Sequence, residues 1–249
     1  MRAWTDHDLL DAWERGLDRP VVERALALLA AADLDASPAE LAGLSVGRRD
    51  ARLLDLHAGV FGPRFVGIAD CPACGLRLEL ELNVDALRAH PAPGDGKEGD
   101  GAYVFETDGC AFRFRLPDSR DVAAAAASDC DDEEAARRLL ECCLLSIRRG
   151  GQEVAIGEIP ETVVQALIAA MAEADPQADV RVALACPGCR QGWLAGFDIL
   201  AFFWAELHSW ASGLLREVHT LASAYGWSEP AILALSPRRR RLYLEILRG

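Results

Sequence analysis

The stretch LACPGCRQGW, residues 184–193, places two cysteines three positions apart around a Pro-Gly pair, between two segments with strand-like composition. Two thiolates at this spacing can hold one face of a tetrahedral zinc ion, and they leave two coordination positions open. A redox dithiol would instead suit a thioredoxin-like strand-to-helix context, so it ranks well below zinc. One cysteine pair therefore predicts another elsewhere in the chain.

The second pair lies in DCPACGLRL, residues 70–78, which repeats the order strand, Cys, Pro, small residue, Cys, strand. The two pairs together predict one structural Zn²⁺ per chain, held in a split zinc ribbon by Cys71, Cys74, Cys186 and Cys189. Between the pairs lie 111 residues, against about 15–20 in compact ribbons. The intervening chain must then be an insertion whose ends return to the same place.

A four-thiolate zinc site has no open coordination position, so it would stabilise structure without performing chemistry. Loss of the metal during evolution, leaving buried thiols, stays open as an alternative. The remaining cysteines lack paired spacing and are predicted to be buried, inert thiols. These are Cys110, Cys130, Cys142 and Cys143.

The composition of the 249-residue chain is that of a globular protein, with 51% hydrophobic and 26% charged residues. A net charge of −13 disfavours binding to a phosphate backbone. The basic cluster Arg238–Arg241 is interpreted as a solvated helix face. The N-terminus has no apolar signal sequence and no apolar run is long enough for a membrane span, which predicts a cytoplasmic protein.

Hydrophobic periodicity and turn residues predict a mostly helical α+β fold. Helices are expected at 46–60, 119–128, 132–148 and 160–174, and a β-hairpin is expected to turn at Asp108-Gly109. The predicted regions are residues 1–64, an N-terminal helical region; 65–83 and 181–197, the split zinc ribbon; 84–180, an inserted β-hairpin and helical region; and 198–249, a long helix followed by short helices.

The long C-terminal helix carries one apolar seam, formed by Trp204, Leu207, Ala211, Leu214, Val218, Leu221 and Tyr225. These residues recur at alternating steps of three and four, so they share one helix face. The N-terminal helices are the preferred partner for this seam. Homo-oligomerisation stays open, although three heptads are short for an independent coiled coil.

Motifs for catalysis are missing from the sequence: it has no Gly-rich phosphate loop, nucleophile elbow or HExxH. The histidines are scattered, and Asp118 with Asp121 fits a helix start better than an acid/base pair. The expectation is a protein that is not an enzyme.

The segment LLREVHTLASAYGWSEPAILALSPRRRRLYLEIL, residues 214–247, resembles the C-terminal signature of the T-even-type phage baseplate protein family. The upstream pieces GRRDARLLDLHAGVFGP, residues 47–63, and CPACGLRLEL, residues 71–80, also look like larger members of this family. The C-terminal matches are Glu217, His219, Leu221, Ala222, Tyr225, Gly226, Trp227, Glu229, Ile232, Leu233, Arg240, Tyr243 and Leu244.

This resemblance implies an accessory role in assembling the baseplate hub of a contractile tail or injection system, as chaperone or minor component. It implies hub, spike or tail proteins as partners and brings no active-site residues or zinc ligands with it. The alternative hypothesis is a zinc-ribbon nucleic-acid-binding or regulatory protein that uses Arg238–Arg241; an uncharacterised enzyme ranks third.

Overall fold

The computed structural model describes residues 4–89, 101–128 and 131–248. Contacts group the chain into two units, which we name the helical unit, residues 1–34 and 200–249, and the sheet unit, residues 35–199. The described elements form a mostly helical α+β fold, as the sequence predicts. No described helix is both long and apolar enough to cross a membrane.

The helical unit consists of α-helices and contains the long C-terminal helix expected from the sequence. A Thr5/Asp8 capping box starts its first helix, because the two side chains satisfy each other's backbone N–H groups. Its helices are α1 (Asp6–Gly16), α2 (Val21–Ala32), α9 (Ile199–Tyr225), α10 (Glu229–Leu233) and α11 (Pro237–Arg248).

The first residue of the α9 seam, Trp204, contacts α1 and α2, the preferred partners, and the seam is buried from Leu207 to Leu221. Trp13 Nε1 donates to His208 Nδ1 at 3.2 Å, and the Arg24 guanidinium lies 4.8 Å from the Trp204 ring centroid. Gly16 meets the Trp204 ring so closely that a Cβ there would lie 2.3 Å from it. The helix ends at Tyr225, and the Gly226 that follows has a φ of +68°, which suits a glycine.

The sheet unit contains every described strand. Its helices are α3 (Pro38–Ala42), α4 (Val46–Val60), α5 (Val84–Leu87), α6 (Ser119–Ala126), α7 (Asp132–Cys143) and α8 (Glu161–Ala174), with 3₁₀ turns at Ile156–Glu158 and Pro176–Ala178. Its strands are β1 (Arg64–Asp70), β2 (Arg77–Asn83), β3 (Tyr103–Thr107), β4 (Cys110–Phe114), β5 (Leu144–Arg149), β6 (Gln152–Glu153), β7 (Arg181–Ala185) and β8 (Gly192–Gly196).

The strands form three antiparallel sheets, ordered β1-β2, β3-β4-β5-β6 and β7-β8. The four-stranded sheet begins with the predicted hairpin, which turns at Asp108 and Gly109 with positive φ at both residues. One face of this sheet forms an apolar core with α7 and α8 around Phe112, Phe114 and Leu167.

The predicted helix at 132–148 is wrong in its last five residues. Helix α7 ends at Cys143, and the residues that follow form β5, which pairs with β4 and buries Ile147 in the core. A short apolar run such as LLSI suits either helix or strand, and here pairing with a neighbouring strand decides. The helix at 46–60 is confirmed with those bounds.

Candidate metal centre

The two cysteine pairs occupy matching turns at the ends of separate two-stranded sheets. The first pair joins β1 to β2, which align Asp70 with Arg77. The second pair joins β7 to β8, which align Ala185 with Gly192. Each pair is therefore held by a strand hairpin, although the hairpins come from distant parts of the chain.

Both turns use the same backbone hydrogen bonds. The N–H groups of Gly75 and Arg190 donate to the carbonyls of Cys71 and Cys186, each at 2.9 Å. Gly75 and Arg190 both have positive φ, +71° and +65°. The bend presents the two sulfurs of each turn together, so the repeated sequence produces a repeated local geometry.

The four predicted ligands come together into one cluster, with all sulfurs within 4.8 Å of one another. Sγ of Cys71 lies 3.6 Å from Sγ of Cys189, and Sγ of Cys74 lies 3.6 Å from Sγ of Cys186. A tetrahedral ion with Zn–S bonds of about 2.3 Å requires sulfur separations of about 3.8 Å. The cluster thus has the ligand set, and closely the spacing, of a four-thiolate zinc site.

Burial differs within each pair. Cys71 and Cys186 are buried, whereas Cys74 and Cys189 are exposed. The first cysteine of each turn faces inward, and the second closes the site from outside. An ion held there would contact the protein on all four sides and have no position for substrate.

Two thiols of the cluster, those of Cys186 and Cys74, have pKa values shifted in opposite directions. A backbone N–H of Cys189 donates toward Cys186 and lowers the pKa of Cys186 to about 6. At Cys74, a backbone hydrogen bond from Leu76 lowers the pKa, but the neighbouring thiols outweigh it and raise the pKa to about 12. Negative charge accumulates unfavourably in this small volume, and a bound divalent cation would neutralise that charge.

Apolar contacts fasten the two hairpins to each other and to α4. The Phe65 ring of β1 stacks on His57 at 3.9 Å and meets Phe197 edge-on at 5.3 Å. At the cluster itself, a Cβ on Gly188 would lie 3.2 Å from Leu76 Cδ2, so the turns fit closely. These contacts hold the sulfurs together through packing as well as through any metal.

The ends of the long insertion return to the same place, as the zinc hypothesis requires. The buried Gln177 side chain donates to the Leu87 carbonyl at 3.1 Å and accepts from the Ala89 N–H at 2.8 Å. Nearby, the Asp175 carboxylate accepts from the Gly47 N–H in the first turn of α4 at 2.9 Å. Sequence analysis missed both residues because their partners are distant backbone groups, which leave no motif.

The other predicted thiols divide into two kinds. Cys110 and Cys143 are buried as expected, and burial raises the pKa of Cys143 to about 12. Cys142 is exposed, so its predicted burial is wrong. Its position next to Cys143 on α7 places it about 100° around the helix from that buried residue, away from the core. Cys130 lies outside the described residues.

The interpretation of Arg238–Arg241 as a solvated face is wrong for one member. Arg240 is 3% exposed and forms ion pairs with Asp6 at 2.7 Å and Glu217 at 3.1 Å. This arginine joins α11 to α1 and α9, so its charge is already paired within the helical unit. Asp118 and Asp121 form a capping box at the start of α6, where the sequence predicted a helix start.

Fold and site together define a mostly helical α+β protein in which, within the described ranges, the candidate metal ligands form one four-cysteine cluster. Residues 27–204 match the model of the family described as T4 bacteriophage base plate protein. The match covers more than half of the chain, which therefore belongs to this family. No curated protein and no solved structure matches the chain.

The family match confirms the family predicted from the sequence, but it does not cover the C-terminal segment on which that prediction mainly depended. It includes both cysteine pairs and the pieces at 47–63 and 71–80, whereas the segment at 214–247 lies beyond it. Family membership thus rests mainly on the sheet unit, together with the second half of α2 and the start of α9.

Proposed function

We propose that this baseplate-family protein is a non-enzymatic assembly chaperone or accessory component for the baseplate hub of a phage-like contractile tail or injection system. The observation that carries the proposal is the family match over residues 27–204. Its partners are hub, spike or tail proteins, met in the cytoplasm during assembly or in the virion. The closed four-cysteine geometry supports a structural role, because it offers no position for substrate.

Within this proposal, the cysteine cluster binds one structural zinc ion. Zinc fits because four sulfurs from two turns lie at tetrahedral separations. Binding in such sites contributes on the order of 10 kcal/mol to folding. That exceeds the cost of closing the long insertion, which rises only by roughly 0.6 kcal/mol for each doubling of loop length.

Metal content tests the zinc proposal. Protein purified under reducing conditions should contain about one zinc per chain by elemental analysis. Cys186→Ser should lose the zinc, whereas Cys142→Ser, which changes an exposed cysteine outside the cluster, should retain it. Metal-free protein that folds normally would overturn the structural zinc.

Co-purification tests the baseplate proposal. The tagged chain is expressed with the hub, spike and tail-tube proteins of its own gene cluster, and complexes are isolated at high salt to remove charge-driven contacts. We expect one of these proteins to co-purify. Presence in intermediates but not in finished particles identifies a chaperone, and presence in both identifies a component. Normal particles formed without the chain would contradict both roles.

A further inference from the structure

The hairpin of β1 and β2 has two edges, and no further strand within the described residues pairs with either edge. Hydrogen bonds at the two ends of the hairpin show which backbone groups face these edges. At one end the Cys71 N–H donates to the Leu76 carbonyl at 2.9 Å, and at the other the Val84 N–H donates to the Pro63 carbonyl at 2.8 Å. Hydrogen-bonded pairs alternate along an antiparallel ladder. Odd-numbered residues of β1 therefore bond to β2, and even-numbered ones direct their backbone groups to the open edge.

The open edge of β1 carries exposed apolar side chains. Val66 is 75% exposed and Ile68 is 61% exposed. Both are even-numbered, so their backbone N–H and C=O groups also point to this edge, and they have no hydrogen-bond partner among the described residues. Unpaired backbone groups beside exposed apolar side chains form a template for pairing with another strand.

The edge of β2 has a different character. The residues of β2 whose backbone groups point outward are Arg77, Glu79, Glu81 and Asn83. Charged side chains along an edge protect it against strand pairing. Antiparallel pairing of β2 with its own copy about Leu80 would place Glu79 opposite Glu81, and like charges directly opposite are destabilising. The hairpin thus has one protected edge and one unprotected edge.

The sequence of β1, RFVGIAD, is complementary to itself in antiparallel pairing. When Gly67 lies opposite the same glycine of a second strand, Val66 lies opposite Ile68, and Arg64 lies opposite Asp70. The first pair is apolar and the second has opposite charges, and both kinds of pair favour strand association. In this register the hydrogen-bonded pairs are formed by the even-numbered residues, whose backbone groups point outward. The glycine lies at the centre, where it lets the two backbones approach closely.

The charges at the ends of β1 already have partners within the hairpin. Arg64 contacts Glu81 at 3.2 Å and Arg77 contacts Asp70 at 3.1 Å, and all four side chains are more than half exposed. Pairing across the edge would extend these contacts into rows of alternating positive and negative side chains. It therefore requires no unpaired charge, and the apolar pairs and backbone hydrogen bonds provide the attraction.

We propose that β1 pairs antiparallel with β1 of a second copy of this chain, across a two-fold axis at Gly67. The two hairpins then form one four-stranded sheet ordered β2-β1-β1-β2. The interface is isologous, because the same strand acts on both sides. One strand pair buries a small area, so the dimer should be weak and its population should rise with protein concentration. The proposal concerns a surface of the sheet unit alone and does not depend on the baseplate role.

Proline substitutions at matched positions test the edge. Ile68 and Glu79 lie directly opposite each other in the hairpin, and the backbone N–H of each points away from the other strand. Proline at such a position preserves the ladder of the hairpin but cannot donate outward. In sedimentation of the full chain, Ile68→Pro should weaken dimerisation by about tenfold or more, whereas Glu79→Pro should leave it unchanged. Wild-type protein that stays monomeric up to millimolar concentration, or equal effects of the two prolines, would overturn the proposal.

A charge variant tests the same edge without proline. Val66→Lys combined with Ile68→Lys places the lysines opposite Glu81 and Glu79 within the hairpin, so the hairpin should still form. Across the proposed interface, lysine lies opposite lysine, and dimerisation should be lost. Leu194→Lys, at a 62% exposed strand position in the β7-β8 hairpin, should dimerise like the wild type. Circular dichroism checks that each variant is folded, and a folded double variant that still dimerises contradicts pairing through β1.

Disulfide cross-linking tests the register. Val66 of one copy should face Ile68 of the other at a Cα separation of about 5.5 Å, which a disulfide can span. Mild oxidation of a mixture of Val66→Cys and Ile68→Cys should therefore give a linked peptide pair containing both positions, detected by mass spectrometry. Val66→Cys alone should link much less, because identical positions lie diagonally, about 7–8 Å apart. Equal linking by Val66→Cys alone, or no linking in the mixture, would refute this arrangement.

Discussion

Because Gly47 has no Cβ, two distant parts of the sheet unit can approach each other closely at this residue. A Cβ at this position would lie 2.1 Å from Asp175 Oδ1 and 2.9 Å from the Ala178 backbone nitrogen. The carboxylate can therefore reach the N-terminus of α4 only because residue 47 is glycine. Negative charge there also compensates the helix dipole.

Gly47→Ala should lower the free energy of unfolding by about 1–3 kcal/mol. The gain in helix propensity, about 1 kcal/mol, is smaller than the combined cost of overpacking and of losing the hydrogen bond that the residue 47 N–H donates to Asp175. Urea unfolding provides the measurement. As the matched control, Gly213→Ala in α9, where nothing lies within 4 Å, should be neutral or stabilising. Equal effects at both positions would contradict this explanation.

The left-handed residues of the two cysteine turns allow a second comparison. Gly75 and Arg190 occupy equivalent positions, and a non-glycine residue with positive φ carries a strain of about 1–2 kcal/mol. Gly75→Ala should destabilise by about 1 kcal/mol. Arg190→Gly should act in the opposite direction and by less, since glycine also loses more backbone entropy on folding. Thermal unfolding at fixed free zinc measures both, and shifts of the same sign would refute the equivalence.

Adjacent cysteines on α7 should differ in reactivity because one is exposed and the other is buried. A thiol reagent added to the native protein should label Cys142 rapidly, and Cys142→Ser should remove one thiol from the fast phase. Burial keeps Cys143 protonated and inaccessible, so it should react only on unfolding. An unchanged fast phase in Cys142→Ser would count against the described orientation.

Among the elements of the helical unit, α11 is fastened by a buried charge. Arg240 is enclosed between Asp6 of α1 and Glu217 of α9, and it also donates to the Leu235 carbonyl at 3.0 Å. Aromatic packing adds to this attachment, because Trp227 stacks on Tyr225 and meets Tyr243 edge-on. The packing of α11 on α1 and α9 therefore depends on residues brought together from both ends of the chain.

Arg240→Ala should lower the free energy of unfolding by about 2–4 kcal/mol, since two carboxylates lose their common cation in a partly buried place. Arg241→Ala, at a neighbouring exposed position, should change it by less than about 0.5 kcal/mol. Chemical denaturation of both variants tests the difference. Equal, small effects would show that α11 is held by its aromatic contacts alone.

Across the whole molecule, the cysteine cluster joins chain segments that no local interaction would bring together. Removal of the proposed zinc ion should therefore affect the sheet unit selectively. After chelation, hydrogen exchange should accelerate in residues 65–83 and 181–197, while α1, α2 and α9 keep their protection. Uniform acceleration throughout both units would show that the metal supports the entire chain.

Local patterns determined much of this protein. The Cys-Pro-x-Cys repeats predicted the four-cysteine cluster, Asp118 and Asp121 predicted the start of α6, and the Asp108-Gly109 turn predicted the hairpin of β3 and β4. Each of these signals acts over a few residues, within which backbone geometry and hydrogen bonding are decided by residue type. The α9 seam also predicted the packing of the long helix, because its apolar period defines one face.

Other features of this protein were decided only by the tertiary structure. Residues 144–149 are a strand because β4 lies beside them, and Arg240 is buried because Asp6 and Glu217 approach from distant helices. Asp175 and Gln177 bond to backbone groups that carry no sequence signature. In each case the deciding partner lies far away in the chain. The amino-acid sequence thus identified the four cysteines, and long-range packing brought their sulfurs to within 4.8 Å of one another.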